Sequence, residues 1–531
     1  RAERITSYLN LVDSIVKKKF TEFKTELLES KLALENFLAT LPNTSSIKEG
    51  LSNLMNERTG YKESLENFLE MYLKVGDIDV NIMTKVDKDN FTKNEQLPIE
   101  FNDAHASLRG FANSNLNSSV VLSAGMNPRL YSYFANFKDF FPDKNNQLKK
   151  RIILKVSDYR SAIIQGKFLA KKGLWVSEYR IESGLNCGGH AFATDGILLG
   201  PILEEFKIKK AELLQDTHDV FVKGLTQKGL TAPEQPLDLK LTVQGGVGTA
   251  DEHKFLLENY LVDSVGWGSP FLLVPEATSV DTNTRTLLAN AIEKDFYLSD
   301  ISPLGIPFNT IKGTTNEYHK QKRIENNKAG SSCPKKYLAL SKELGPEGIC
   351  TASKKYQDIK LQELETQRLE ISQDIYENKK NKINEKACLC VGLANASFLE
   401  NNIKIKGQEQ GVVICPGPNM AYFNTEVSLF KMMRHIYGSD SVLSNIYRPN
   451  MFIKELKMYI DYLKKEIETF SENVTNKQSK KWEVFKSNLF DGIVYYQNLF
   501  PTSGKEENVI IQKELKFYKE ELITVSLPVL V

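Results

Sequence analysis

The sequence predicts an α/β fold: a (β/α)8 TIM-like barrel between an N-terminal helical region and a mostly helical C-terminal region that holds clustered cysteines. Three observations point there. Apolar strand-like runs alternate with amphipathic segments at the spacing of βαβ units, which calls for a parallel sheet. Two of these strands, one helix apart, each end in a glycine-rich turn, Gly245-Gly246-Val247-Gly248 and Gly266-Trp267-Gly268-Ser269. Another strand runs out into Gly184-Leu-Asn-Cys-Gly-Gly-His190, whose glycines deliver one histidine into a loop.

Residues 1–75 read as helices, because Ile5, Leu9, Val12 and Val16 recur at helical spacing and the rhythm resumes after Pro42 through Leu65, Leu69 and Tyr72. From Gly76 the period changes, and residues 76–325 are expected to form the barrel. Val80 to Val86, Ser119 to Gly125 and Lys150 to Val156 are strand candidates. Asp158 stands where it can cap a helix that carries Ala162, Ile163, Phe168 and Leu169 and ends at Gly173. Trp175 to Glu182 alternates like the strand that leads into the histidine loop. Asp238 to Gln244 and Val262 to Ser269 flank a helix with Phe255, Leu256 and Leu257. In the C-terminal region, 326–531, a short helix is expected between Cys333 and Gly348. A long charged helix with Leu361, Leu364, Ile371 and Ile375 as its apolar stripe follows, and another helix spans 450–470 with Phe452, Leu456, Tyr459 and Leu463.

Composition limits the function classes. In 531 residues, 41% are hydrophobic and 26% charged, with a net charge of +2, so there is no electrostatic reason to expect a nucleic acid partner. No apolar run is long enough to be a transmembrane segment. Six cysteines are too few for a disulfide scaffold in a chain of this length, which points to a reducing compartment and a cytoplasmic protein.

The motifs suggest a phosphate-bearing cofactor. In barrels, the turns after the last two strands commonly cradle a phosphate, since glycines let backbone N–H groups approach and a short helix adds its positive end. Gly245, Gly246, Val247, Gly248, Gly266, Trp267, Gly268 and Ser269 would do this mainly through the backbone. His190 suits proton transfer because its acidity lies near neutrality, although it could also simply shape the loop. Lys155 could stabilise negative charge on a cofactor or could be a solvated strand-end lysine. Glu182 and Ser183 could face the pocket or hold the loop. Cys333, Cys350, Cys388, Cys390 and Cys415 all fall in the C-terminal third, and they read either as ligands of an iron-sulfur cluster or zinc or as buried thiols.

Residues 118 to 315 resemble the flavin-mononucleotide barrels of nitronate monooxygenases (2-nitropropane dioxygenase-like proteins) and the related enoyl reductases of fatty-acid and polyunsaturated fatty-acid synthesis. Ser119 to Pro128 looks like that family's fourth strand, Arg151 to Gly173 like its fifth strand and helix, and Trp175 to His190 like its sixth strand with the Gly-Gly-His loop. Gln244 to Thr249 and Gly266 to Phe271 look like its paired phosphate loops, followed by Pro275-Glu-Ala277, and Ser302 to Pro307 is similar to its segment after the barrel. The loop differs from the family at Asn186, Cys187 and Phe192, and one clear strand precedes residue 118 where the family has three. The resemblance implies an FMN-dependent oxidoreductase with His190 over the flavin, of monooxygenase or enoyl-reductase type, acting on a small molecule or an acyl thioester. Three alternatives stay open. One is a non-catalytic barrel subunit joined to a homo-oligomer or larger complex through its terminal helices. Another is an iron-sulfur flavoprotein passing electrons between partners, and the third is a different phosphate-binding barrel enzyme without flavin.

Overall fold

Six short strands pair in chain order into one parallel sheet: β1 (Val80–Ile82), β2 (Ser118–Leu122), β3 (Lys150–Val156), β4 (Val176–Glu182), β5 (Lys240–Gln244) and β6 (Ser264–Gly266). The computed structural model describes residues 1–56, 61–93, 95–123, 125–186, 195–406, 408–470, 474–502 and 506–528. Helices α1 (Asp103–Ala112), α2 (Tyr159–Ala170), α3 (Leu199–Thr226) and α4 (Ala250–Tyr260) return the chain between strands, with a shorter helical stretch between β2 and β3. Chain order without reversal is the winding of a barrel, whereas a doubly wound sheet reverses at a switch point. Among the described residues no pairing joins β1 to β6, so the sheet is an open six-stranded arc. Among the described residues before β1 the chain forms four helices, Ala2–Glu29, Lys31–Ala39, Ser46–Leu54 and Tyr61–Tyr72. They bury Leu27, Leu34, Leu51, Leu65 and Leu69 in a core of their own.

The two faces of the sheet differ, as strand alternation requires. On one face, Val120, Leu122, Ile152, Leu154, Val156, Tyr179, Ile181, Leu241 and Val243 join the main apolar core with residues of the helices. The alternate positions carry Asn81, Lys155, Arg180, Glu182, Thr242 and Gln244. A polar stripe of this kind cannot be packed against apolar helices without desolvating it, so it faces the inside of the arc. The capping expected at Asp158 is present: its carboxylate accepts the Ser161 N–H at 2.6 Å, and Gly173 beyond the helix has φ +70°.

The last three helices, α5 (Met451–Phe470), α6 (Asn476–Leu499) and α7 (Glu506–Thr524), are built into the same core. Phe452, Leu456, Tyr459 and Leu463 of α5 are all buried there, beside Leu199, Phe206 and Tyr260. Two other expectations for this region change. Between Cys333 and Gly348 there is no helix but a loop closed by isolated bridges, because Pro334, Pro346 and the left-handed Gly345 and Gly348 break helical geometry. The long charged helix is two helices, Lys354–Thr366 and Gln373–Glu385, since Ser372 caps the second by accepting the Ile375 N–H. Leu364 is buried, but Ile375 is exposed.

Glu455 of α5 ties these helices to the end of β4. Its side chain is fully buried and accepts the N–H of Gly184 at 3.2 Å and of Leu199, the first residue of α3, at 2.8 Å. Burial raises its pKa from the ordinary 4.5 to about 7, against the lowering effect of those N–H groups. Between these two values the folded chain binds the proton that the unfolded chain has lost. Its contribution is therefore fully present at low pH and is lost as pH rises through the folded value. In urea titrations the wild type is expected to lose stability relative to Glu455→Gln between about pH 5 and pH 8, by on the order of 3 kcal/mol. A constant difference between the two across that range would contradict this.

Candidate cofactor-binding site

In a parallel sheet the C-terminal ends of all strands lie along one edge, and here that edge gathers the polar stripe. Lys155 stands opposite Arg180, Glu182 opposite Gln244, and Gln244 opposite Gly266. A cavity of about 330 Å3 opens on these ends, lined by Asp79, Asn81, Lys155, Arg180, Asn186, Gln244 and, from the glycine turns, Gly245 to Val247 and Gly266 to Ser269. Its volume is in the range of small-molecule sites.

Glu182 organises the polar floor. Its Oε1 accepts from Asn186 Nδ2 at 2.5 Å and Gln244 Nε2 at 2.7 Å, and Lys155 Nζ lies 3.2 Å away. Lys155 is 9% exposed, so it is a buried, paired cation and not a solvated one. Arg180 donates from Nε to Glu178 at 2.8 Å, and the same Glu178 oxygen accepts from Thr242 Oγ1 at 2.6 Å. Asp79 accepts the Ser119 N–H at 2.9 Å. Burial holds its carboxyl above the usual range, outweighing that bond. With both cations paired to carboxylates, recognition of an added anion falls largely to the backbone of the turns.

The first turn has the geometry for it. Gly245 and Gly246 have φ +110° and +87°, and a Cβ on Gly245 would sit 2.9 Å from Asn186 N. Gly246 and Val247 are buried, and their N–H groups meet no acceptor among the described residues. Such donors need a partner, which makes this a fitting seat for a phosphate. The turn leads into α4, capped by Thr249, whose hydroxyl accepts the Glu252 N–H at 3.1 Å.

A set of C-terminal residues holds this turn from behind. Arg448 pairs with Glu252 in bidentate fashion, Nη1 to Oε1 at 2.7 Å and Nη2 to Oε2 at 2.8 Å. The guanidinium also donates to Gly246 O and Asn419 Oδ1, both at 2.8 Å, while Glu252 accepts the N–H of Gly248 at 2.9 Å and of Met451 at 2.8 Å. Asn419 Nδ2 donates to Val247 O at 2.8 Å, and Gly417 N–H to Ser269 Oγ at 2.7 Å. Two neutral histidines complete the support. Trp267 Nε1–H donates to His253 Nδ1 at 3.0 Å. His435 Nε2 donates to Gly248 O at 3.0 Å while its Nδ1 accepts the Val442 N–H. Burial lowers the pKa of both, which favours these neutral forms.

Of the residues singled out from sequence, Lys155, Gly245, Gly246, Val247, Gly266, Trp267, Gly268 and Ser269 all line the one cavity, and Glu182 lies in its floor. Gly248 faces the Arg448 guanidinium, which an added Cβ would approach to 2.6 Å, and does not line the cavity. His190, Cys187 and Phe192 lie outside the described residues. Among the described residues no group of three or more His, Cys, Asp or Glu is placed to hold a metal ion, the five C-terminal cysteines included. Arg448, Glu252, Asn419 and Asp79 were not foreseen. Only the Arg-Pro-Asn at 448–450, just before an amphipathic helix, offered any local signal.

No protein-family model matches the sequence, and no curated protein matches it. Among solved structures, the chain is similar to the enoyl reductase domain of MlnA from the macrolactin biosynthesis cluster of Bacillus amyloliquefaciens. The identity is 16%, over 80% of this chain and 88% of that one, with a TM-score of 0.36. It is also similar to a mutant FabK of Thermotoga maritima at 10% identity, over 75% of this chain and 81% of that one, with a TM-score of 0.34.

Removing one partner of the buried Arg448–Glu252 pair leaves an uncompensated charge. Arg448→Met is therefore expected to cost about 3–5 kcal/mol in chemical denaturation, with part of it recovered in the double variant with Glu252→Gln. Equal losses in the single and double variants would show that the pair is not the source.

Proposed function

We propose that the protein is an FMN-dependent oxidoreductase whose cofactor occupies the cavity at the strand ends. The observation that carries this reading is the convergence of two glycine turns, with buried N–H groups in the first, on a cavity that also holds the paired Lys155. The turns of Gly245 to Val247 and Gly266 to Ser269 would hold the phosphate. FMN is favoured over a dinucleotide because the glycines follow the fifth and sixth strands, not the first. Bound flavin would supply hydride and electron transfer. Lys155, fixed by Glu182, would point its amine N–H groups at a bound cofactor, with that carboxylate balancing its charge. His190, in the segment between β4 and α3, is the proposed proton donor or acceptor.

A second cavity of about 730 Å3 shares Leu185 with the first. Phe296, Leu298, Pro307, Pro418, Met458 and Tyr462 give it an apolar wall, and Lys382, Lys386, Lys454, Lys457 and Lys465 stand among acidic residues around it. This suits a substrate with an apolar chain, such as an acyl thioester. No helix among the described residues is long and apolar enough to cross a membrane.

The visible spectrum of the purified protein tests the reading. It is expected to show bound flavin, or to gain the spectrum of bound flavin when FMN is added. Gly246→Ala should weaken FMN binding by about tenfold or more. Gly229→Ala should leave it unchanged, since Gly229 also has positive φ but an added Cβ there meets nothing within 4 Å. A colourless protein that gains no flavin spectrum with FMN would sink the proposal.

A further inference from the structure

The first helix, Ala2–Glu29, carries two apolar stripes where a surface helix needs one. One is used within the chain. Leu9 and Ile5 join the main core, and Leu27 and Phe23 join the core of the N-terminal helices. Polar contacts beside this stripe hold the helix against α1 and the residues after it: Thr6 Oγ1 donates to Gly110 O at 2.9 Å, and Asn10 Oδ1 accepts the Asn115 N–H at 2.8 Å. The second stripe has no cover among the described residues. Tyr8, Leu11 and Ile15 are 64%, 58% and 46% exposed. With Arg4 before them and Lys18 and Glu22 after them, they recur in alternating steps of four and three, the seam spacing of a coiled coil. Apolar residues scattered singly on a surface need no explanation, but three in succession on one seam do.

The order of charges along the seam says what covers it. The seam is complementary to itself when a second copy runs in the opposite direction. A two-fold axis at the level of Asp13 sets Leu11 of one copy against Ile15 of the other, Tyr8 against Lys18, and Arg4 against Glu22, each pair occurring twice. The centre is then apolar, an ammonium meets each tyrosine ring, and opposite charges close both ends. Within one helix Lys18 Nζ already lies 3.8 Å from Glu22 Oε1, an exposed pair that adds little by itself but keeps both side chains along the seam. A parallel pairing would instead set Arg4 on Arg4, Lys18 on Lys18 and Glu22 on Glu22, like charge on like. Ser7, Ser14 and Thr21 run along one flank of the seam and are small enough for two helix axes to come close. A lipid surface fits less well, because the charges of the helix cancel, five basic residues against five acidic, and nothing draws it to an anionic bilayer.

We propose that this stripe is the interface of a homodimer in which two copies pair their first helices antiparallel. The seam from Arg4 to Glu22 is about 27 Å long by the helical rise. Such an interface is small, so dimer and monomer exchange reversibly at micromolar concentrations. None of its residues lines the cofactor cavity, so the pairing leaves the strand ends open.

Sedimentation equilibrium of the full-length chain across the micromolar range tests this. A reversible monomer–dimer equilibrium is expected. Leu11→Glu, at an exposed position, should leave the thermal unfolding of the monomer unchanged and raise the dissociation constant by about 100-fold or more, since two leucines lose their cover. Arg4→Glu puts like charges at both ends and should raise it by about fivefold or more, while Arg4→Glu combined with Glu22→Arg should bind more tightly than Arg4→Glu alone. A chain that stays monomeric throughout would overturn the proposal, as would a dimer that either single substitution leaves unmoved or charge changes that simply add. Monomeric protein that binds vesicles of anionic phospholipid, and loses them with Leu11→Glu, would overturn it too and assign the stripe to a membrane.

Discussion

The cavity's shape depends on a single buried pair, Arg448 with Glu252. A bidentate ion pair removed from water repays its desolvation only when the remaining donors and acceptors are used, and here Gly246 O, Asn419 Oδ1 and the N–H groups of Gly248 and Met451 take them up. Two left-handed glycines in succession give a turn with little rigidity of its own. With Gly246 O and Gly248 N–H both held, the backbone between them is fixed from behind, which leaves Gly246 and Val247 able to present their N–H groups to a ligand. The partners are 196 residues apart, so the C-terminal region is part of the site and not an appendage to it.

The sheet has the same dependence in another form. Its inner face carries charged and amide side chains in three neighbouring strands. These are satisfied across the strands, Glu182 with Lys155 and Gln244, and Glu178 with Arg180 and Thr242. The network makes the strand ends a preorganised polar floor whose charges are already balanced. Its outer face is apolar and continuous with a core that reaches through α3 and α4 into α5, α6 and α7. Glu455 adds a polar link across that core, joining α5 to both flanks of the segment that carries His190.

Much of this was legible locally. The apolar run Lys150 to Val156, the Asp158 cap and both glycine turns carry short-range signatures, and all stand where the sequence put them. Their convergence followed from the parallel winding, since strands that run the same way bring their ends together. What stayed hidden has no local period. Glu252 looks like any first-turn glutamate of a capped helix, and Arg448 like a loop arginine, until the fold brings them together. The helix expected after Cys333 failed for a local reason, the prolines and glycines of 334–348, and the long charged helix failed because Ser372 caps a new start inside an unbroken charged pattern.

Binding of FMN through its phosphate at the glycine turns is tested most directly by a pair of calorimetric titrations of flavin-free protein, one with FMN and one with riboflavin, which has the same ring but no phosphate. FMN should bind about 100-fold tighter or more, a difference of close to 3 kcal/mol contributed by the phosphate contacts. Equal affinity for the two, or binding of neither, would contradict it.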